Sequence, residues 1–115
     1  MMESDTVTGF IEKAQAYVTA SNDHDLVAIA AMLAPDCIYR SAGVGRHDGS
    51  EAILAMMTSF FASYRDVHWQ AENYRWLSDH VRFDFVITLD GNSSAGEEMI
   101  WFDGTGRISE IEVLR

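Results

Sequence analysis

The spacing of apolar residues divides the chain into a helical first half and an alternating second half. Apolar or small residues recur every three or four positions over residues 7–21, 26–33 and 53–64, which predicts three amphipathic helices. The large apolar side chains of the third helix form a stripe that is typical of a core-facing surface. Between the second and third helices, residues 37–41 are predicted to form a short strand and residues 43–49 a flexible bend.

Capping residues and a proline indicate where these helices begin and end. Asp5 or Thr6 is expected to cap the first helix. Asp48, with Glu51 three residues later, has the spacing of a capping box for the third helix. The second helix should stop before Pro35, because a proline disfavours helical backbone in the residue before it.

After residue 65 the apolar positions alternate, and turn sequences separate the alternating runs. The pattern predicts four strands over residues 67–77, 80–89, 95–102 and 107–114, connected closely enough to form an antiparallel meander. The second strand alternates most clearly, with Val81, Phe83, Phe85, Ile87 and Leu89 on one face. Three helices and one sheet predict an α+β fold in which the helices cover one face of the sheet.

The charge balance excludes two classes of partner. The chain has 115 residues, with 18 Asp and Glu against 8 Lys and Arg, and a net charge of -10. Phosphate-rich surfaces are bound by clustered lysine and arginine, and Lys13 is the only lysine. We therefore expect no nucleic-acid partner and no membrane partner, and the length fits a single domain over residues 1–115.

The cysteine content and the hydropathy bear on the compartment. Cys37 has no second cysteine to pair with, which favours a reducing compartment and a role as a small buried hydrophobic residue. No apolar run reaches the roughly 18 residues that a membrane span needs. The first residues lack the basic start and apolar stretch of a secretory leader. We therefore expect a cytoplasmic protein.

The histidines do not form a metal-binding pattern. His24, His47, His68 and His80 share no spacing of four residues, and no Cys or Asp is placed to complete a ligand set. Surface or capping roles are expected for His24 and His80. We expect no metal and no cofactor.

The order of the elements and two local segments resemble the nuclear transport factor 2-like superfamily, which includes SnoaL-like polyketide cyclases and ketosteroid isomerases. The segments are YVTASNDHDLVAIAAMLAPDCIY over residues 17–39 and FDGTGRISEIEVL over residues 102–114. The resemblance covers residues 10–114. It implies a cone-shaped fold in which three N-terminal helices pack on a strongly curved antiparallel sheet, with a pocket that opens at one end. Because enzymes and non-enzymes share this fold, the resemblance does not decide the function.

The resemblance also implies candidate catalytic residues. Tyr17 matches the catalytic tyrosine of the ketosteroid isomerases, and Glu98 matches their protonated acid on the third meander strand. The aspartate base of those enzymes falls on Ser41, which cannot move a proton at neutral pH, so steroid isomerisation itself is not expected.

The Asp-Arg-Asp set of the epoxide hydrolases with this fold falls on Phe85, Ile87 and Val113, so that reaction is not expected either. The similar pair Arg82 and Asp84 lies on the polar face of its strand and is interpreted as an exposed ion pair.

A larger set of residues is expected to bind the substrate of such a pocket. The resemblance places Arg40 and His47 beside the mouth, where they would select a polar or anionic substituent. The expected substrate-binding residues are Tyr39, Arg40, Ser41, His47, Phe60, Trp69, Phe83, Phe85, Ile100 and Ile111.

Our leading hypothesis is an isomerase, cyclase or dehydratase that transfers a proton in a small hydrophobic or aromatic carbonyl compound. Glu98 would remove the proton, and Tyr17 and Tyr39 would donate hydrogen bonds to the developing oxyanion. The alternatives are that Tyr17 is an ordinary core residue, and that Glu98 faces water or an arginine while Glu97 faces inward. The rival function is a non-catalytic ligand-binding or dimerisation module of the same fold.

Apolar residues on the outer face of the sheet predict that another protein surface covers it. Met99 and Trp101 lie opposite Glu98 on the third strand of the meander, and Ile108 and Leu114 lie opposite Ile111 and Val113 on the fourth. Apolar residues on both faces indicate that the convex face is covered as well. We therefore expect a homodimer that pairs through the convex face.

Overall fold

Three helices and six strands make up the protein. A computed structural model describes the backbone of residues 2–115 and the side chains from Thr6 onward. The helices are α1 (Met2–Asn22), α2 (Leu26–Met32) and α3 (Ser50–Ser63). The strands are β1 (Leu33–Ser41), β2 (Gly45–Asp48), β3 (Val67–Leu77), β4 (His80–Leu89), β5 (Asn92–Phe102) and β6 (Ile108–Leu114). The α+β class is confirmed, and the predicted bounds of β3 and β4 agree with the structure.

All six strands belong to one sheet, in the order β2-β1-β6-β5-β4-β3. The strands from β3 to β6 form the predicted antiparallel meander, but β1 pairs in parallel with β6. The expectation of an entirely antiparallel sheet was therefore wrong. The last strand, β6, lies beside the first strand, β1, and runs in the same direction, which the long connection between them allows. The three helices are also not all N-terminal to the sheet, since β1 and β2 precede α3.

The segment over residues 43–49 is not the flexible bend that the sequence predicted. Most of it is β2, which pairs with β1 so that His47 lies opposite Tyr39. Gly45, with a φ of 82°, follows the turn, in a region of backbone space that glycine enters without strain. This hairpin extends the sheet beyond its predicted edge.

The expected helix caps are replaced by others. Helix α1 begins at Met2, before the start that was expected at Asp5 or Thr6, and the side chain of Asp5 lies outside the described residues. Asp48 belongs to β2 and contacts Arg46 at 2.8 Å, while Gly49 caps α3 without a side-chain hydrogen bond. Asp25 caps α2 by accepting a hydrogen bond from the backbone N–H of Ala28 at 3.0 Å. Helix α2 ends at Met32, so it stops before Pro35 as expected.

The helices cover one face of the sheet and enclose the core there. Helix α1 packs against β3 and β4, and α3 packs against β1. The predicted inner face of β4 is confirmed, because Val81, Phe83, Phe85 and Ile87 are all buried. No helix in the described part of the chain is long and apolar enough to cross a membrane.

Two irregularities change which side chains face the helices. In β3 the register shifts between Glu72 and Arg75, so that Asn73 and Tyr74 stand together opposite Phe83. Between β5 and β6 the shift leaves Ser109 without a partner and pairs Phe102 with Ile108. Ile108 is 1% exposed and belongs to the core, so its predicted place on the outer face was wrong. Such bulges turn every later residue of the strand to the opposite face.

Candidate functional site

A cavity of about 60 Å³ lies between α1, α3 and the inner face of the sheet. Its walls are mostly apolar, with five aromatic rings, two methionines and one carboxyl group. The lining residues are Tyr17, Val18, Ser21, Tyr39, Ser41, Val44, Met56, Met57, Phe60, Phe61, Trp69, Ile87, Glu98 and Val113.

Glu98 projects into this cavity from the middle of the sheet. It lies on β5, opposite Phe83 of β4 and Val113 of β6, and is 5% exposed. Glu97 faces the other way and accepts hydrogen bonds from Arg82 at 2.9 and 3.0 Å and from Arg75 at 3.1 Å. The strand alternation therefore places Glu98, and not Glu97, on the inner face.

The carboxyl group of Glu98 has no hydrogen bond or ion pair within the part of the chain that the structure describes. Burial away from water disfavours its charged form and raises the pKa of Glu98 to about 8. A carboxyl group in this state exchanges a proton near neutral pH.

Three tyrosines lie within electrostatic range of Glu98. Burial, and next the charge of Glu98, raise the pKa of Tyr17 and that of Tyr39 well above the ordinary value. The same causes raise the pKa of Tyr74 to about 12. All three hydroxyl groups are therefore protonated near neutral pH and can donate hydrogen bonds.

Tyr74 is the neighbour of Glu98 that sequence reasoning missed. Strict alternation along β3 would turn it outward, but the bulge after Glu72 brings it onto Phe83, with ring centroids 4.8 Å apart. Asn73 makes the turn with a φ of 59°, and its amide donates a hydrogen bond to Asp84 at 2.9 Å. An asparagine inside an alternating run was the available signal, because asparagine tolerates this backbone conformation.

The aromatic wall is held in place by α1. The side chain of Asn22, at the end of α1, accepts a hydrogen bond from the backbone N–H of Trp69 at 2.7 Å and donates one to its carbonyl at 2.9 Å. The Trp69 ring lies 6.2 Å from that of Phe60 and 6.3 Å from that of Phe61. The α3 side of the wall includes Met56 and Met57, and flexible thioether side chains can move to admit a ligand larger than the cavity.

The structure brings six of the predicted site residues together around this cavity: Tyr17, Tyr39, Ser41, Phe60, Trp69 and Glu98. Their proposed roles in catalysis and binding stay predictions. The other lining residues were absent from the predicted set, although the stripe on the third helix contained Met56, Met57 and Phe61.

The two polar residues predicted beside the mouth do not line the cavity. Arg40 lies on the outer face, where it pairs with Glu110 and, at 3.2 Å, with Glu112. It points outward because Tyr39 and Ser41 on either side of it point inward. The His47 ring Nε2 lies 2.8 Å from the Val44 carbonyl oxygen, within the β1–β2 hairpin. Arg40 therefore points away from the cavity and His47 lies beside it, and the selection of a substituent by these residues stays a prediction.

Four predicted binding residues are buried on the inner face but lie behind the cavity wall. Phe83, Phe85, Ile100 and Ile111 belong to the core and do not line the cavity. The tip of the Phe85 ring instead lies over Gly96, where an added Cβ would come within 2.6 Å of it. The alternation that predicted their inward direction does not distinguish the core from the cavity wall.

The outer face carries the exposed charges. Arg82 and Asp84 face outward as expected, but Arg82 pairs with Glu97, while Asp84 pairs with Arg75 at 3.3 Å. Among the side chains from Thr6 onward, no group of three His, Cys, Asp or Glu residues is placed to hold a metal ion. Cys37 is buried, which raises the pKa of its thiol to about 12 and keeps it in the unreactive form.

The family model described as "SnoaL-like domain" matches residues 14–110. A comparison with curated proteins gives no significant match. Solved structures give strong matches at low identity. A candidate polyketide cyclase from Sinorhizobium meliloti has a TM-score of 0.80 at 19% identity, over 89% of this chain and 93% of its own. A candidate isomerase of the SnoaL-like family from Agrobacterium tumefaciens has a TM-score of 0.78 at 17% identity, over 92% of this chain and 96% of its own.

An LEH-like epoxide hydrolase from M. tuberculosis is also similar, with a TM-score of 0.77 at 15% identity, over 94% of this chain and 83% of its own. At such identities the similarity establishes the fold and not the reaction. The positions that we matched to the hydrolase carboxylates and arginine hold the apolar, buried residues Phe85, Ile87 and Val113. These side chains cannot activate a water molecule.

Proposed function

The chain belongs to the SnoaL-like domain family, and on that premise we propose that it is an enzyme that transfers a proton in a small hydrophobic carbonyl compound. The observation that carries the proposal is the Glu98 carboxyl group, which is buried in an aromatic cavity without a partner among the described residues. Isomerisation, cyclisation and dehydration all begin with such a transfer.

The proposed chemistry uses Glu98 as base and then as acid. The ionised carboxylate takes a proton from the carbon beside the carbonyl group, and the electron pair moves to the carbonyl oxygen. The hydroxyl groups of Tyr17 and Tyr39 donate hydrogen bonds to that oxygen. Glu98 then returns its proton to another atom of the same compound, so that no other reactant is consumed. With a pKa of about 8, about one tenth of the carboxyl groups are ionised at neutral pH.

Ser41 does not act as a base in this scheme. The proposed function therefore does not include steroid isomerisation, which uses an aspartate base at that position. The family resemblance implies a strongly curved sheet that forms a cone, and we propose this shape for the protein as well. Such a cone would widen the cavity beyond about 60 Å³ and admit larger compounds. The proposed compartment is the cytoplasm, because the one cysteine is a free buried thiol.

Exchange of ketone protons with deuterium tests the proposed reaction without knowledge of the natural substrate. Butanone is small enough to probe the cavity, and NMR in deuterium oxide follows the loss of its protons beside the carbonyl. We expect the protein to accelerate the exchange, with a rate that rises as the pH approaches about 8 and then levels off. Glu98→Gln should lower the protein-catalysed rate by at least about 100-fold, because general base catalysis contributes about this much.

Glu97→Gln is the matched control, since it makes the same substitution on the outer face and should leave the exchange rate unchanged. Equal rates for the native chain and the Glu98→Gln variant would refute the role of Glu98. Ligand binding with no exchange above that of buffer would support the second candidate function, a non-catalytic ligand-binding or dimerisation module. The serine at the base position favours that candidate.

We further propose that the outer face of the sheet pairs with a second copy of the chain. Val86 and Leu114 are 39% and 40% exposed there. Arg75 and Arg82 alternate with Asp84 and Glu97 on the same face, so that two copies related by a twofold axis can place opposite charges together.

Light scattering tests this dimer. We expect a mass of twice 12.9 kDa for the native chain, and 12.9 kDa when Val86→Glu and Leu114→Glu are combined, because two carboxylates would be buried in each half of the interface. Val27→Glu is the control, since Val27 is 83% exposed on α2, away from the sheet. A native mass of 12.9 kDa at micromolar concentration would contradict the dimer.

A further inference from the structure

The cavity combines an acidic group with a lack of basic ones. The lining includes Glu98 but no Lys, Arg or His. Arg82 and Arg75 pair with Glu97 and Asp84 on the outer face. The side chain of Arg115 lies beside Gly96 of β5, and its charge lowers the pKa of Tyr39, but it forms no ion pair with Glu98. Within the described residues, an ionised Glu98 therefore has no counter-charge, and a ligand would have to supply one.

The walls of the cavity suit a cation. Five aromatic side chains line it: Tyr17, Tyr39, Phe60, Phe61 and Trp69. The faces of aromatic rings carry partial negative charge and attract ammonium groups, above all where water is excluded. The polarizable sulfur atoms of Met56 and Met57 complete a surface on which alkyl groups pack well.

Size and overall charge restrict the ligand further. A cavity of about 60 Å³ favours a small cation over a bulky one. The net charge of -10 attracts cations to the protein and repels anions. A neutral ketone fits the space but leaves the charge of Glu98 without a partner.

We propose that the cavity binds a small alkylammonium ion, with Glu98 as its counter-ion and the aromatic rings as its walls. The inference rests on the proposed function only in taking this cavity as the ligand site. It requires no turnover. Because Glu98 must lose its proton to pair with the cation, binding below about pH 8 should release a proton.

A titration with two isosteric probes tests the proposal. Isopropylammonium chloride and 2-propanol differ only in an ammonium group in place of a hydroxyl group. In about 0.15 M salt, which screens the surface charges, we expect the ammonium ion to bind at least about tenfold more tightly near pH 7.5. Its affinity should rise by about tenfold per pH unit up to pH 7 and level off above about pH 8, as the ionised fraction of Glu98 does. Calorimetry in buffers of different ionisation enthalpy measures the released proton.

Variants separate the cavity from the surface. Glu98→Gln and Glu97→Gln make the same substitution on opposite faces of β5, and only the first should abolish the preference for the ammonium ion. Trp69→Leu should weaken the binding of the ammonium ion more than that of 2-propanol. Equal affinities for the two probes, or equal losses in the two glutamine variants, would overturn the inference. A preference for the ammonium ion without ketone exchange would support the inference while refuting the proposed enzyme. Ketone exchange without a preference for the ammonium ion would support the proposed enzyme and refute the inference.

Discussion

Replacing Glu98 by glutamine is expected to stabilise the protein by about 3 kcal/mol at pH 7 and by about 5 kcal/mol at pH 9. Between the ordinary pKa of 4.5 and the folded value of about 8, the unfolded chain has released the Glu98 proton while the folded chain retains it. Each pH unit in this window therefore lowers the free energy of unfolding by about 1.4 kcal/mol. Below pH 4.5 both states are protonated and the effect vanishes, and above about pH 8 the loss is complete.

Urea denaturation at about pH 4, 7 and 9 measures this effect as the difference between the native chain and the Glu98→Gln variant. Other groups contribute equally to both proteins and cancel. Glu97→Gln is again the control, because the outward carboxyl group is held ionised by Arg82, and the variant should keep the native loss of stability between pH 4.5 and about 8. A difference between the native chain and Glu98→Gln that stays constant with pH would contradict the buried, uncharged state of Glu98.

Truncating Phe83 to alanine is expected to destabilise the protein by about 4 kcal/mol. Phe83 is fully buried, contacts the Tyr74 ring and lies opposite Glu98 in the sheet register. Its removal leaves a large cavity beside Glu98, which water can enter, so the pKa of Glu98 should fall from about 8 toward 4.5. Urea denaturation measures the first effect, and carbon NMR of the Glu98 carboxyl group measures the second.

Val27→Ala on α2 is the control, because Val27 is 83% exposed and lies outside the proposed dimer interface, so its truncation should change the free energy of unfolding by less than about 0.5 kcal/mol. A loss below about 1 kcal/mol for Phe83→Ala would show that the neighbouring side chains close the cavity. An unchanged pKa of Glu98 would show that Phe83 does not keep water from the carboxyl group.

Local sequence patterns were sufficient for most of the elements. The alternation over residues 80–89 identified the bounds and the buried face of β4, because one side of that strand is buried from Val81 to Ile87. No cap was predicted for α2, which Asp25 caps in the structure. Strand β2 was missed because four residues with two exposed charges show no alternation. Short edge elements depend on their partner strand more than on their own composition.

The candidate site depended more strongly on tertiary packing. Alternation placed Phe83, Ile100 and Glu98 on one face, but only the packing of α1 and α3 decided that Glu98 meets the cavity while Phe83 and Ile100 meet the core. The direction of Arg40 followed from the same alternation, although the resemblance had suggested a place at the mouth. The bulge at Asn73 brought Tyr74 toward Glu98, which a period of two cannot predict.

The sequence by itself determined the class of fold and the single inner face of the meander. These features follow from periodicity and residue type, which act locally along the chain. The family resemblance, and not the periodicity, singled out Tyr17 and Glu98, on which the proposed chemistry depends. The tertiary structure alone decided that Glu98 has no partner within the described chain, that the arginines pair on the opposite face, and how much space remains among the aromatic rings. These properties arise where distant segments meet, because the free energy of a charge depends on all the groups and water around it and not on its neighbours in sequence.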